Sequence, residues 1–355
     1  MKNFILIASL LIGMPLMAQT KVVKKNAVKA NNFGITYSLP KTTLVVDVEV
    51  TKVTCKAGPY YQYAEKYLGV KDAIAENKVY FELGKTQLIN HGIRDKDNTY
   101  IVEFKQGTVA PYAYLTEDGL LCSINSEYTP VESELDAVKK KKGPQEKVTD
   151  TSVFSEELLM AGSTARQAEI AAKQIYRIRE SRMNILTGEA DNLPPDGEAM
   201  KLVIQQLEEQ EKALSNLFTG IRTKEMEHYE VTVMPNDDLD KEILFRFSKQ
   251  IGIVDADDLG GAPVYMNLKA TERAPMLEPK EAEKKEKSLK GIVYNVPGKA
   301  EIEIFTNKKT LYKGEAQITQ FGTREGLAPV MFEDKKAPVK VTFYPETGAI
   351  KQIIQ

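Results

Sequence analysis

The strongest constraint on this chain is a change of hydrophobic period in its middle. Over 163–186, Ala165, Ala168, Ala172, Ile175, Ile178, Arg182 and Ile185 or Leu186 recur at helical spacing, and Gly188 follows. Over 196–218, Met200, Val203, Leu207, Leu214 and Leu217 fall on one side of a second such stretch, which stops at Gly220. At ~1.5 Å per residue, two helices of about 23 residues each run close to 35 Å. The segment between them, TGEADNLPPDG, is short, so the two should fold back as an antiparallel αα-hairpin.

On either side the period falls to two. TTLVVDVEVTKVTC sets Leu44, Val46, Val48 and Val50 on one face and Val45, Asp47, Glu49 and Thr51 on the other. Strands are also expected at 78–83, 99–104 and 119–124, making an antiparallel β domain over 34–128. A polar linker over 129–152, with the run Lys139 to Lys142, leads to the hairpin region at 153–220. HYEVTVMP and KEILFRFS then flank NDDLD as the arms of a β-hairpin, and GAPVYMNLKA adds a strand to a β segment over 221–268. After a charged connection at 269–289, AEIEIF and VKVTFYP alternate again within a C-terminal β domain at 290–355. The fold expected is α+β, with antiparallel β domains flanking a long antiparallel αα-hairpin. FGITYSLPKTTLVVDVEV and KGIVYNVPGKAEIEIFT echo each other at an offset of about 257, which fits a duplication or a coincidence.

The beginning of the chain speaks to location. Lys2, the apolar run FILIASLLIGMPLMA and small Ala18 have the pattern of a secretory signal peptide over 1–18, ahead of a polar leader at 19–33. That run is shorter than the ~20 residues a spanning helix needs, so no transmembrane segment is expected once the signal is removed. No cysteine stands where a lipid would be attached. The expected location is the periplasm or the cell exterior. With 48 basic and 50 acidic residues, the chain lacks the basic field of a nucleic-acid binder. Its two cysteines, Cys55 and Cys122, suit either a disulfide or two buried thiols, and without a CxxC neither suggests redox chemistry.

Residues for catalysis are scarce. The two histidines, His91 and His228, have no ligand-type neighbour at metal-site spacing; His91 is expected in a turn and His228 at the start of a strand. DADDLGG at 255–261 lacks the pattern of a calcium loop, and no GxSxG, P-loop, GxGxxG or SxxK follows the expected elements. No catalytic residue, metal site or cofactor is therefore expected. YYQYAEKYLG at 60–69 reads as a short helix capped by Gly69, with Tyr60, Tyr63 and Tyr67 on one face packed against the sheet. The rival reading is a ring platform for sugar or peptide made from Tyr60, Tyr61 and Tyr63, joined by Tyr112 and Tyr114 of VAPYAYLTEDG. For protein contact, the candidates are Arg177, Arg179 and Arg182 on the first long helix and Glu189, Asp191 and Asp196 at a tip stiffened by Pro194 and Pro195.

YYQYAEKYLG, QIYRIRESRMNILTGEADNLPPDG, LFTG and QFGTREGLAP together resemble a family of exported Bacteroidales proteins that carries a domain-of-unknown-function label, DUF4831. The resemblance covers nearly the whole chain after the leader. It implies export and a full-length architecture, and it brings no activity, ligand or catalytic residue to these positions. The expectation is a non-catalytic cell-envelope protein acting as a structural or protein-interaction module, with an envelope protein or glycan as partner. A carbohydrate- or peptide-binding module and a hydrolase using paired carboxylates are the alternatives.

Overall fold

A computed structural model of the chain describes residues 21–24, 34–103, 112–129, 155–190, 197–332 and 339–354. The expected signal peptide, the leader outside 21–24, the linker beyond Thr129, and Asp191, Pro194, Pro195 and Asp196 at the hairpin tip lie outside the described residues. The fold is α+β, with antiparallel sheets around a helical hairpin.

Two long strands organise it. β2 (Gly34–Lys56) and β3 (Lys78–Glu103) pair antiparallel from Gly34 opposite Glu103 to Cys55 opposite Lys78. β1 (Lys21–Lys24) extends the sheet beyond β3, and β6 (Ile221–Val233) pairs with the other side of β2. A second sheet has the order β11-β10-β9-β7-β8, from β7 (Leu239–Ser248), β8 (Gly252–Val254), β9 (Ala262–Glu272), β10 (Ile292–Thr306) and β11 (Thr310–Leu327). The inward face of β2 carries Leu44, Val46, Val48 and Val50, and it packs on Val264, Met266, Leu268, Ile302, Ile304 and Ile318 of that second sheet. A face of alternating aliphatics has to be covered by another apolar layer, so these two sheets form a sandwich.

The structure corrects four local expectations. Residues 78–83 and 99–103 belong to one continuous strand, β3, and His91 lies inside it opposite Thr43 rather than in a turn. The neighbouring Gly92 is needed for a close approach. A Cβ on Gly92 would stand 2.6 Å from the Pro345 carbonyl oxygen and 2.8 Å from that of Glu346, so only a bare backbone lets the C-terminal segment approach. The arms expected to form a hairpin around NDDLD do not pair with each other: β6 joins β2 and β7 joins β8 and β9. Residues 234–238 carry the chain from one sheet of the sandwich to the other. His228 sits in the body of β6, opposite Glu49, and not at its start.

A third sheet brings residues 113–124 together with 340–354. β4 (Ala113–Leu115), β5 (Leu121–Ile124), β12 (Lys340–Phe343) and β13 (Ile350–Ile354) are ordered β13-β12-β5-β4. It shares a core with the outer ends of the long strands: Tyr37, Leu39 and Tyr100 from one side, Ile292, Val293 and Leu327 from the other, and Val341 and Phe343 beneath. The buried Tyr37 hydroxyl donates to the Val293 carbonyl at 3.1 Å and accepts from the Val293 N–H at 2.9 Å, and burial pushes its pKa upward.

The echo in the sequence is a structural repeat. Both long hairpins break register within one residue of the equivalent place: Ser38 opposite Thr99 gives way to Pro40 opposite Arg94, and Val296 opposite Thr323 to Gly298 opposite Ile318. Each jump skips one residue on one strand and four on the other. Both are followed by a short hairpin whose turn glycine has a positive φ, 82° at Gly119 and 69° at Gly348. Ser38 donates its N–H to the Gly119 carbonyl at 2.9 Å, and Asn295 donates to that of Gly348 at 3.1 Å. These pairings make β2 to β5 and β10 to β13 two copies of one unit, with the helices and β6 to β9 inserted between them.

The helical insert starts with α2 (Glu156–Met160) and continues as α3 (Thr164–Thr187) and α4 (Gly197–Thr219). Ser163 caps α3 by accepting from the Arg166 N–H. At its end Gly188 takes φ 78°, and the N–H groups of Gly188 and Glu189 return to Ile185 and Asn184.

Substituting Gly92 tests the close approach. Gly92→Ala is expected to lower stability by about 1–3 kcal/mol, the range for forced overpacking. Gly162→Ala, where an added Cβ meets nothing within 4 Å, should leave the urea midpoint unchanged.

Candidate interaction surfaces

The tyrosine cluster folds as a 3₁₀ turn at Tyr61–Tyr63 followed by α1 (Ala64–Leu68), with Gly69 in the left-handed conformation at the cap. Its rings pack on the base of the helical hairpin and not on the sheet. Tyr60 is buried 5.5 Å from the Phe218 ring, Tyr67 lies 6.5 Å from the same ring, and the Tyr60 N–H bonds the Leu217 carbonyl. Burial pushes the Tyr60 pKa up. Tyr61 and Tyr63 are half-buried, so this stretch joins the sheet connection to the helices and presents no open row of rings. The reason is local: a helix face of three tyrosines needs an apolar surface of its own period, and α3 and α4 offer Ala168, Ala172, Ile175, Leu214 and Phe218.

Tyr112 and Tyr114 are different. They are 49% and 42% exposed, and their rings sit 6.0 Å apart at an interplanar angle of 81°. Perpendicular rings offer an edge and a face in place of a flat stacking platform.

On the hairpin, every fully buried side chain lies in the basal half: 168–175 of α3 and 213–218 of α4. Beyond it, Met183, Leu186 and Leu202 are exposed. Two of the three arginines assigned to partner contact are used inside the hairpin. Arg179 Nε reaches Glu211 at 2.6 Å, and Arg182 Nη1 reaches Glu211 at 2.8 Å and Glu208 at 3.7 Å. Arg177 and Glu189 face solvent. Periodicity could place these arginines on α3, but only the helix pairing shows that α4 sets acids against them.

One constellation had no sequence signal. Asp47, with a fully buried side chain on the outer face of β2, has both carboxyl oxygens 3.1 Å from His228 Nδ1 on β6. A carboxylate accepts only, so Nδ1 carries the hydrogen and Nε2 is left as a buried atom without a hydrogen-bond partner. The two residues are 181 positions apart and come together through the β2–β6 register. No group of three or more His, Cys, Asp or Glu suited to a metal occurs among the described residues. The pair acts as a clasp that satisfies a buried acid.

Cys55 and Cys122 are free, buried thiols in different sheets, and burial pushes the Cys122 thiol to about 11, far from a reactive thiolate. A cavity of about 300 Å³ lies under α5 (Pro279–Ser288). Its one carboxylate, Glu286, is 2.8 Å from Arg324 Nη2, so it supplies no pair of acids for hydrolysis. The 255–261 turn closes on itself, with the Gly260 N–H on Asp258 Oδ1 at 2.8 Å. Among the described residues no helix is long and apolar enough to cross a membrane.

Two substitutions test this geometry. His228→Ala should cost about 1–3 kcal/mol by leaving a buried carboxyl unpartnered, and Asp47→Val added to it should recover much of that loss in chemical denaturation. Glu211→Ala, which strips both arginines of a shared partner, is expected to destabilise the hairpin on the order of 1–2 kcal/mol, between the exposed and buried ion-pair ranges. Hydrogen exchange would register it as lost protection over 176–186.

Compared with known proteins, the chain matches the family model described as "Domain of unknown function (DUF4831)" over residues 33–351. No curated protein and no solved structure matches it.

Proposed function

This chain belongs to the DUF4831 family, and we propose from that starting point that it is a non-catalytic, exported cell-envelope protein whose helical hairpin is a protein-interaction element. The family carries no activity to transfer. The observation that carries the reading is the outer half of the hairpin, where Met183, Leu186 and Leu202 stand in solvent on helices already held together by Arg179, Arg182 and Glu211. Large aliphatics on a stiff projecting element are the composition of a contact surface. Export is supported by the signal-like start at 1–18. A carbohydrate- or peptide-binding role is the second reading, favoured by the exposure of Tyr112 and Tyr114.

Photo-crosslinking in intact cells tests the choice. A probe at Leu186 should give one reproducible protein adduct, and a probe at Lys308, on the distant β10–β11 turn, should not. Leu202→Asp should reduce the adduct about tenfold or more, the effect of losing a central contact. Equal labelling from both probes, or none, would sink the hairpin reading. Glycan recovered on a probe at Tyr112 would favour the second.

A further inference from the structure

The third sheet is built from two copies of the same short hairpin, and their residues correspond one to one. In the first copy Ala113, Tyr114 and Leu115 pair with Ile124, Ser123 and Leu121. In the second, Val341, Thr342 and Phe343 pair with Ile353, Gln352 and Ile350. Both skip a residue at the same step, between Tyr114 and Leu115 and between Thr342 and Phe343. β4 therefore corresponds to β12, and β5 to β13.

The copies lie side by side through β5 and β12, with Ile124 opposite Val341 and Ser123 opposite Thr342. That junction joins the second strand of one hairpin to the first strand of the next. At the ends of the sheet stand the two strands whose counterparts meet there: β13, a second strand, and β4, a first strand. Among the described residues neither has a further strand beside it. Burial records the difference. Ile124, covered by the junction, is 2% exposed, whereas its counterpart Ile353 is 45% exposed and Ile354 beside it also 45%.

We propose that β13 of one copy of this chain pairs antiparallel with β4 of a second copy, in the register of the internal junction, so that the protein assembles head to tail. Ile353 then lies opposite Ala113 and Gln352 opposite Tyr114. The same register sets Ile354 opposite Tyr112, an aromatic and β-branched cross-strand pair, and so partners two exposed apolar side chains with each other. A contact between unlike edges is heterologous and generates a ring or an open filament. Unpaired strand edges attract this kind of pairing, and here the complementary edge is carried by the chain itself. The assembly uses no residue of the helical hairpin, so its failure would leave the hairpin reading untouched.

Cysteine crosslinking of the purified chain is the test. Within one molecule positions 113 and 353 are three strand spacings apart, roughly 14 Å, beyond the reach of a disulfide. Mixing Ala113→Cys with Ile353→Cys under mild oxidation should give a reducible dimer, and the double variant a ladder of higher species. The unsubstituted chain, whose Cys55 and Cys122 are buried, should give neither. Sedimentation of the unsubstituted chain should show mass rising with concentration. Ile354→Asp and, on the other edge, Tyr112→Asp should each shift that rise to at least tenfold higher concentration with the melting temperature held. A monomer at every concentration, crosslinks only between identical positions, or assembly indifferent to both aspartates would overturn the proposal.

Discussion

The bonding of β2 on both of its edges is the constraint on which the rest of this molecule depends. Its N–H and C=O groups pair with β3 from Gly34 to Cys55 and with β6 from Leu44 to Lys56. A central strand held in this way cannot slip, because a slip of one residue would turn Leu44, Val46, Val48 and Val50 away from the second sheet. At about 1.5–3 kcal/mol for each fully buried aliphatic side chain, that inward row is a large share of a domain's net stability. The repeats also meet on this strand. The Thr42 N–H bonds Thr319 Oγ1 at 2.9 Å, the Thr319 N–H returns to Thr42 Oγ1 at 3.1 Å, and Gln320 Nε2 bonds the Thr42 carbonyl at 2.8 Å. Residues skipped by the second repeat's register jump thus dock on β2 of the first.

Around that frame the outer elements divide by how they bury their apolar faces. The base of the helical hairpin is enclosed by the tyrosine segment, with Tyr60, Ala64 and Phe218 in a common cluster and the Tyr176 hydroxyl on the Tyr67 carbonyl at 2.6 Å. In the outer half the shared Glu211 keeps the two helices in step. The third sheet is enclosed on its inner face by Tyr37, Tyr100 and Ile292 and ends in strands with apolar side chains still exposed. Both surfaces assigned to contact are thus ends of well-packed elements, where rigidity is inherited from the core and apolar area is left over.

Much of this was legible in residue order. Period and caps placed both long helices, and alternation picked out the inward face of β2. The functional candidates were harder, because exposure depends on what lies opposite. Arg179 and Arg182 read as candidates for partner contact, and α4 sets Glu208 and Glu211 against them. The opening tyrosines were legible as one helix face, yet the choice between sheet and hairpin as their partner depended on where the chain returned more than a hundred residues later. Asp47 and His228 left no signal, since a mid-strand acid and a mid-strand histidine each look like ordinary solvated positions until a register sets them side by side.

By itself the sequence determined the two long helices and the short tyrosine helix, which strands have an apolar face, and that a Gly-Ile-x-Tyr and proline pattern occurs twice. These are properties of neighbouring residues, decided by backbone geometry and side-chain period. Only the tertiary structure decided that the two patterns are repeats, that β5 and β12 fuse the two short hairpins into one sheet, and that the strands bounding it keep Ile353, Ile354, Tyr112 and Tyr114 partly in solvent. The reason is that strand pairing is bought with non-local hydrogen bonds, and which edges stay open is known only after every other edge has been filled.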